Sequence, residues 1–220
     1  MMEMAEFEPA PKYTLGLDLG QVKDYTALVI LERHGEAEQA VFHARHLQRF
    51  PLGTPYPAIV AAVSEMLHAP ALAAARPEER ARLAVDETGV GSPVVDLFRQ
   101  ADLAGSQLYP VHITGGSTIN HDRGVEYVPK RDLVSVVQVA LQTEKLKIAS
   151  ALPEARTLVR ELQDFQVKIT EAANDTYGAW REGTHDDLVM AVALGLYVGK
   201  KHGQQIEADA YSFGYREFRW

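Results

Sequence analysis

The chain has 220 residues, of which 46% are hydrophobic and 24% charged, and these proportions predict a globular protein with a buried core rather than a disordered or fibrous one. Cysteine is absent, which excludes disulfide bonds, a thiolate nucleophile and zinc held by thiolates. The formal net charge of −8 argues against a protein that coats nucleic acid, because such binding depends on Lys and Arg that displace counterions from phosphates.

The sequence predicts neither a membrane span nor a motor motif. The acidic first 12 residues are predicted to form a tail and lack the pattern of a signal peptide. The longest apolar stretch, residues 188–199, is shorter than the roughly 20 residues that a bilayer span needs. There is no G-x-x-x-x-G-K-[ST] phosphate loop, so we expect that these residues do not form a self-contained P-loop motor.

The first half of the chain begins with strands and continues with alternating helices and strands. Three runs rich in β-branched and aromatic residues, with a break at Gly35, predict an antiparallel meander. These runs cover residues 13–20, 25–33 and 38–50. The elements predicted next are a helix at 58–68, a strand at 82–87, a helix after Pro93 and a strand at 107–112.

The second half is predicted to be mainly helical. Residues 114–128 are polar and predict a loop, and Pro129 favours the start of a helix over 130–143. Another helix follows Pro153, and the segments QVKIT and TYGAW on either side of Asn174-Asp175 predict a hairpin. Strands followed by alternating helices and strands predict one α/β domain, a mixed sheet with helices on both faces.

Asp18 is the most informative acidic residue. It is predicted to lie in the middle of a buried strand, between Leu17 and Leu19. A buried carboxylate is costly unless it is paired or binds a metal, and aspartate is uncommon in strands. We interpret Asp18 as a functional residue, the alternative being an aspartate that caps a turn at the end of a strand.

Asp86 repeats this pattern in the sequence LAVDETGVGSP. An apolar strand ends in a carboxylate, and a glycine-rich turn leads into a helix. Ligand sites of α/β sheets lie at such strand ends. Glu87 is expected to point to the opposite face because side chains alternate along a strand. The alternative for Asp86 is a helix cap.

Asp186 and Asp187 open the final predicted helix, which begins near His185. Acidic residues are common in a first helical turn because they interact favourably with the helix dipole. This helix is apolar on nearly every side, however, so its acidic start should lie inside the fold or at its edge. Asp24 follows Asp18 by one short turn and is expected to reach the same cluster.

These acids come from remote segments that an α/β sheet brings together. Clustered carboxylates repel one another and need cations to coexist. Carboxylate oxygens suit Mg²⁺ or Mn²⁺, and we expect two ions, which together activate a water and stabilise the leaving oxygen of a phosphodiester. His185, beside the acidic pair, either orients a ligand, protonates a leaving group or lies on the surface.

The same motifs resemble the nuclease domain of the large terminase subunit of tailed bacteriophages, which has a ribonuclease H-like fold. The resemblance spans residues 13–200 and rests on GLDLGQVKDYTALVI, LAVDETGVGSPVVDLF, VPKRDLVSVVQVALQTEKLKI and HDDLVMAVALGLYV, in that order. It implies a tail at 1–12, a nuclease domain at 13–200 and a second tail at 201–220. The second tail is rich in aromatic residues, which could pack on the domain, on a partner or on DNA bases.

The resemblance also implies roles for individual residues. Those that look like catalytic metal ligands are Asp18, Asp86 and one or both of Asp186 and Asp187, with Asp24 as an auxiliary acid near a second metal. The hairpin around Asn174-Asp175 is similar to the one that flanks the family's active site and approaches DNA. Candidate DNA contacts are Lys130, Arg131, Lys168 and His185; Lys130 and Arg131 are equally well explained as solvated residues of a helix start.

The implied function is a metal-dependent endonuclease that cuts double-stranded DNA with little sequence preference during viral genome packaging. The resemblance places it in the cytoplasm of a bacterial host. Its expected partners are double-stranded DNA, the ATPase motor domain that terminases carry upstream, and a portal or small terminase protein.

Three alternatives stay open. A Holliday-junction resolvase of the same fold would need a basic surface, which the net charge of −8 makes less favourable. The motif DLG also occurs in actin-like ATPases and sugar kinases, which usually need a longer chain. The third alternative is a catalytically silent packaging or interaction module, against which the full set of acids argues.

Overall fold

The computed structural model describes residues 12–20, 24–35, 39–73, 79–89, 91–169, 175–179 and 186–214, with the backbone alone for residues 165–169, 175–179 and 202–214. The strands in these ranges are β1 (Tyr13–Asp18), β2 (Ala27–His34), β3 (Val41–Arg49), β4 (Arg82–Asp86), β5 (Gln107–Thr114), β6 (Asn120–Asp122), β7 (Val125–Pro129), β8 (Leu146–Ile148), β9 (Phe165–Ile169) and β10 (Asp175–Ala179). The helices are α1 (Tyr56–Leu67), α2 (Gly91–Gln100), α3 (Lys130–Gln142), α4 (Ala155–Asp164) and α5 (Asp187–Gly214).

Eight of these strands form one mixed sheet in the order β6-β7-β5-β4-β1-β2-β3-β8. Strands β1, β2 and β3 pair antiparallel in succession, which confirms the predicted meander. Strands β4, β5 and β7 continue from β1 as parallel neighbours, and β6 pairs antiparallel with β7. At the other edge, β8 pairs parallel with β3. Strands β9 and β10 form a separate antiparallel pair, as the predicted hairpin requires.

Helices cover both faces of the sheet, as predicted. Side chains alternate along β2, so that Leu28 and Ile30 join the core under α1 and α2, whereas Ala27, Val29 and Leu31 join the core under α3, α4 and α5. The same alternation places Leu15 and Leu17 of β1 in the first core. The side of β1 that carries Asp18 therefore faces the second core, where α5 lies.

Helix α5 lies directly on β1, and Gly16 makes this contact possible. A Cβ atom added at Gly16 would lie 1.9 Å from the carbonyl oxygen of Ala191 and 2.7 Å from the amide nitrogen of Gly195. Only hydrogen fits in that space, so the backbones of strand and helix approach more closely than any side chain would permit. Residues 187–199 of α5 are buried as a result.

Residues 114–128, predicted to be a loop, contain the β6–β7 hairpin, so that prediction was wrong. The two residues of its turn, Arg123 and Gly124, have φ angles of 48° and 80°. Two successive positive φ values are typical of the turn that best fits the twist of a two-residue hairpin. Asn-Gly and Asp-Gly are the usual sequences for this turn, and Arg-Gly did not signal it.

The structure differs from the sequence prediction in three other places. Asp18 is the last residue of β1, not a residue in its middle. Strand β8 was not predicted, because three residues carry too little pattern. The predicted start of the tail at residue 201 lies inside α5, which continues to Gly214. Within the ranges given above, no helix has the length and apolarity to cross a membrane.

Replacing Gly16 by Ala should destabilise the protein by about 1–3 kcal/mol, because backbone atoms rather than a flexible side chain must move to accommodate the new methyl group. The measurement is the urea midpoint of unfolding in EDTA. Gly115→Ala is the matched control, since a Cβ added there has no neighbour within 4 Å. Equal midpoints for the two variants would contradict the role given to Gly16.

Candidate metal centre

Two carboxylates meet where the central strands end. Strands β1 and β4 are parallel neighbours with Leu17 opposite Val85, so their last residues, Asp18 and Asp86, lie side by side. Alternation places both side chains on the face covered by α5. The negative charge of Asp86 raises the pKa of Asp18, so the two carboxyl groups are close enough to repel each other when both are ionised.

The start of α5 brings two more carboxylates to this strand end. Asp187, the first residue of the helix, is buried, with 5% of its surface exposed. Asp186 precedes the helix, and its carbonyl oxygen accepts a hydrogen bond of 2.9 Å from Met190 N–H. Its side chain is more open and accepts a hydrogen bond of 3.1 Å from Lys130 Nζ, at the start of α3. The acidic residues predicted from three remote segments therefore lie together.

Burial and the neighbouring acids raise the pKa of Asp18. Burial raises the pKa of Asp18 well above its ordinary value, and the negative charges of Asp86, Asp187 and Asp186 raise it further. Lys130 acts in the opposite direction, since its positive charge lowers the pKa of Asp18. Four carboxylates and one lysine leave a net negative charge at the end of β1, which favours the binding of a cation.

The turn after β4 fixes Asp86 in place. Asp86 Oδ1 accepts a hydrogen bond of 2.8 Å from Thr88 N–H, and Thr88 Oγ1 accepts one of 2.8 Å from Ile113 N–H of β5. Burial raises the pKa of Asp86, whereas hydrogen bonding to Thr88, the interaction with Asp18 and the charge of His112 lower it. The hydrogen bond from Thr88 N–H closes a turn before α2, which begins at Gly91, so Asp86 orders the turn rather than capping the helix.

The donor set suits a divalent cation of the magnesium type. All its oxygens are carboxylate oxygens, which are the ligands that Mg²⁺ and Mn²⁺ prefer. Among the residues described, no three acidic or histidine side chains form a ready-made cage for one ion. Mg²⁺ does not need such a cage, because it is commonly held by one or two carboxylates together with waters and substrate phosphates. The residues present therefore fit such an ion.

The remaining predicted site residues are placed less centrally. Asp24 is exposed in the connection between β1 and β2, at the same end of the sheet as Asp18. Arg131 donates a hydrogen bond of 2.9 Å to the Ser117 carbonyl and lies 3.6 Å from Asp132. The backbone of Lys168 lies in β9, but its side chain falls outside the described residues, as do His185 and Asn174.

Sequence reasoning missed two neighbours of the site. His112 on β5 follows Val111, which pairs with Asp86; its Nδ1 lies 3.8 Å from Glu87 and its ring centre 5.1 Å from that of Tyr127. Glu161 on α4 is buried and accepts hydrogen bonds from the first turn of α5. Its signal in the sequence was a charged residue at helical spacing from the buried Leu158, on the otherwise apolar side of a helix.

Burial raises the pKa of Glu161 to about 7, and the charge of Asp187 raises it as well. Hydrogen bonds from the backbone of Val189 and Leu188 and the charge of Arg49 lower it. Glu161 and Asp187, the first residue of α5, are therefore close enough for their charges to oppose each other.

Comparison with known proteins relates this chain to terminases. It is 26% identical, over 216 residues, to the large terminase subunits of Thermus phage G20c and of Thermus virus P23-45. The match covers 97% of this chain but 36% of each relative, so the chain spans about a third of the length of these curated relatives. No protein-family profile matches the sequence.

Solved structures share the fold. The nuclease of the large terminase from thermophilic phage G20c, with bound magnesium, superposes with a TM-score of 0.56 at 21% identity, over 87% of this chain and 83% of that one. The human cytomegalovirus terminase nuclease domain gives a TM-score of 0.54 at 14% identity, over 92% and 90% of the two chains. The chain is thus similar in sequence to large terminase subunits and has the ribonuclease H-like fold of their nuclease domains.

Proposed function

We propose that the protein is a metal-dependent endonuclease that cuts double-stranded DNA with little sequence preference during viral genome packaging. The observation that carries the proposal is that four acids, Asp18, Asp86, Asp186 and Asp187, lie together at one end of the sheet. The charges of the other three raise the pKa of Asp18. Such a group of acids does not stabilise the fold, because repulsion between the carboxylates opposes folding. The same group can bind divalent cations next to a phosphodiester.

The residues proposed to hold Mg²⁺ or Mn²⁺ are Asp18 and Asp86 together with Asp186, Asp187 or both. The fold of the G20c nuclease, for which structures with bound magnesium and with bound cobalt exist, supports the use of a divalent ion here. We propose two ions, with Asp24 as an auxiliary acid for the second. When bound, they would supply positive charge that polarises the phosphate and promotes the ionisation of an attacking water.

The chain's own residues then have distinct tasks. Asp18 and Asp86 would both be ionised when a cation is bound, because carboxylates bind a metal in their deprotonated form. The hydrogen bonds from Thr88 to Asp86 keep that carboxylate oriented. Lys130, paired with Asp186 at 3.1 Å, would offer its positive charge to an incoming phosphate.

DNA contacts and partners are also part of the proposal. Lys130 and Arg131, at the start of α3, and Lys168, in the β9–β10 pair, are proposed to contact the DNA backbone. With a net charge of −8, the protein should bind DNA weakly and in a salt-sensitive manner. An ATPase motor domain would supply most of the affinity, with a portal or small terminase protein as a further partner, in the cytoplasm of a bacterial host.

The first test is cleavage of supercoiled plasmid by the wild-type protein and by Asp18→Asn, each in Mn²⁺, Mg²⁺ and EDTA. We expect nicking and linearisation that require the metal and are lost in the variant, because Asn removes the charge but hardly changes the volume. The measurement is the fraction of nicked and linear DNA on a gel.

Asp96→Asn is the matched control for this test, since Asp96 is an exposed acid on α2 that pairs with Arg99. It should cut like the wild type. Cleavage by Asp18→Asn at the wild-type rate would reject the assigned site. A folded protein that cuts in no metal would contradict the nuclease proposal and favour the catalytically silent module.

A second test concerns stability. The raised pKa of Asp18 means that its ionisation costs the folded state more than the unfolded one, so the penalty is absent below the ordinary pKa of 3.8 and grows as the pH rises above it. Asp18→Asn should therefore raise the thermal midpoint of the metal-free protein at pH 7. We expect about 2–4 °C, which corresponds to ~1 kcal/mol for a chain of this size.

The gain from Asp18→Asn should shrink as the pH falls toward 4, and Asp96→Asn should show no comparable gain. Added Mn²⁺ should raise the midpoint of the wild type, because a ligand that binds only the folded state stabilises it, and should raise that of Asp18→Asn far less. A variant that is less stable than the wild type in EDTA would contradict the electrostatic account of the site.

A further inference from the structure

Glu161 supplies the hydrogen-bond acceptor for the start of α5. The side chain belongs to α4, and only 6% of the residue is exposed. Its Oε2 accepts hydrogen bonds from the backbone N–H groups of Leu188, at 2.9 Å, and Val189, at 3.2 Å. The first N–H groups of a helix have no acceptor within the helix, so a buried helix start needs one from elsewhere. Glu161 meets that need from a neighbouring helix.

Arg49 forms an ion pair with the other oxygen of the same carboxylate. Its Nη1 lies 3.7 Å from Glu161 Oε1, and its guanidinium carbon lies 4.4 Å from the centre of the Tyr25 ring. Arg49 ends β3 opposite Ala27 of β2, and Ala27 in turn pairs with Asp18 of β1. The clamp formed by Arg49 and Glu161 therefore connects the end of the sheet that carries Asp18 to the start of α5.

The residues held by this clamp directly follow the acidic pair in the chain. Leu188 and Val189 come after Asp186 and Asp187, and all four lie at one helix start. A carboxylate is a costly choice for a buried cap beside other acids, and a neutral cap would hold the helix without that repulsion. An ionised carboxylate is held from two directions here, since one oxygen accepts from the helix and the other is attracted by the arginine charge.

We propose that Glu161, braced by Arg49, is a positioning residue of the metal centre: it fixes the first turn of α5 so that Asp186 and Asp187 face Asp18. The inference rests on the proposed function. It assigns Glu161 no contact with substrate or metal. Loss of the tether, the two hydrogen bonds that Glu161 accepts from Leu188 and Val189, should weaken metal binding, because the acids at the start of α5 are then no longer held toward the strand end.

The test measures Mn²⁺ binding by calorimetry for the wild type, Glu161→Ala, Glu161→Gln and Glu154→Ala. Glu161→Ala should bind Mn²⁺ about tenfold more weakly, the lower end of the range for residues that orient metal ligands. Glu161→Gln keeps an acceptor oxygen and should restore most of that loss. Glu154 is the matched control, because it also faces Arg49, at 3.8 Å, and should leave the affinity unchanged when replaced.

Wild-type affinity in Glu161→Ala, or equal losses in Glu161→Ala and Glu154→Ala, would overturn the inference. So would equal losses in the Ala and Gln variants of Glu161, because the effect would then come from the charge and not from the tether. If Glu161→Ala does not fold, Glu161→Asp replaces it: the charge remains, but the shorter side chain withdraws the acceptor, and wild-type affinity in that variant would overturn the inference.

Hydrogen exchange at the Leu188 and Val189 amides separates this inference from the proposed function. Faster exchange in Glu161→Ala than in Glu154→Ala supports the tether. Unchanged exchange overturns it, whatever the metal result. A wild-type protein that binds no Mn²⁺ would overturn the proposed function and with it the role in metal binding, while the exchange rates would still decide whether Glu161 holds α5.

Discussion

The contact between α5 and β1 at Gly16 determines the rest of this structure. The helix backbone lies where a Cβ atom of the strand would otherwise be, 1.9 Å from the Ala191 carbonyl oxygen. This close approach buries the helix on the central strand of the sheet and fixes its start near the end of that strand. Asp18 follows Gly16 by two residues and faces the same way, so the packing that forms the core also brings the acids of α5 to Asp18.

Gathering those acids opposes folding, and the surrounding structure reduces the cost only in part. Thr88 donates a hydrogen bond to Asp86, and Lys130 offsets the charge of Asp186 through a partly exposed pair. Burial keeps the pKa of Asp18 well above its ordinary value even so. Repulsion between these carboxylates destabilises the metal-free fold, and a bound cation would relieve that repulsion and stabilise the fold. The electrostatic cost of the cluster is thus linked to its proposed use.

The main elements and the acidic residues could be predicted because their signals are local. A carboxylate stands out within the apolar segment around Asp18 and at the end of the apolar segment before Asp86. The apolar character of α5 indicates that its acidic start is not in open solvent. The β6–β7 hairpin escaped prediction because Arg123 takes a positive φ that its residue type does not announce. The hydrogen-bond partners of the acids were not predicted either. Lys130 and Asp186, for example, are 56 residues apart and come together only in the tertiary fold.

Glu161 illustrates why the second layer of a site is the hardest part to predict from sequence. In the sequence it is one glutamate on an amphipathic helix, and nothing near it in the chain needs a cap. The need arises 27 residues later, because α5 is buried from its first residue and water cannot reach the N–H groups of Leu188 and Val189. The same burial that brings Asp187 to the strand end therefore creates a demand for an acceptor, and a helix that meets this demand also fixes where the acids point.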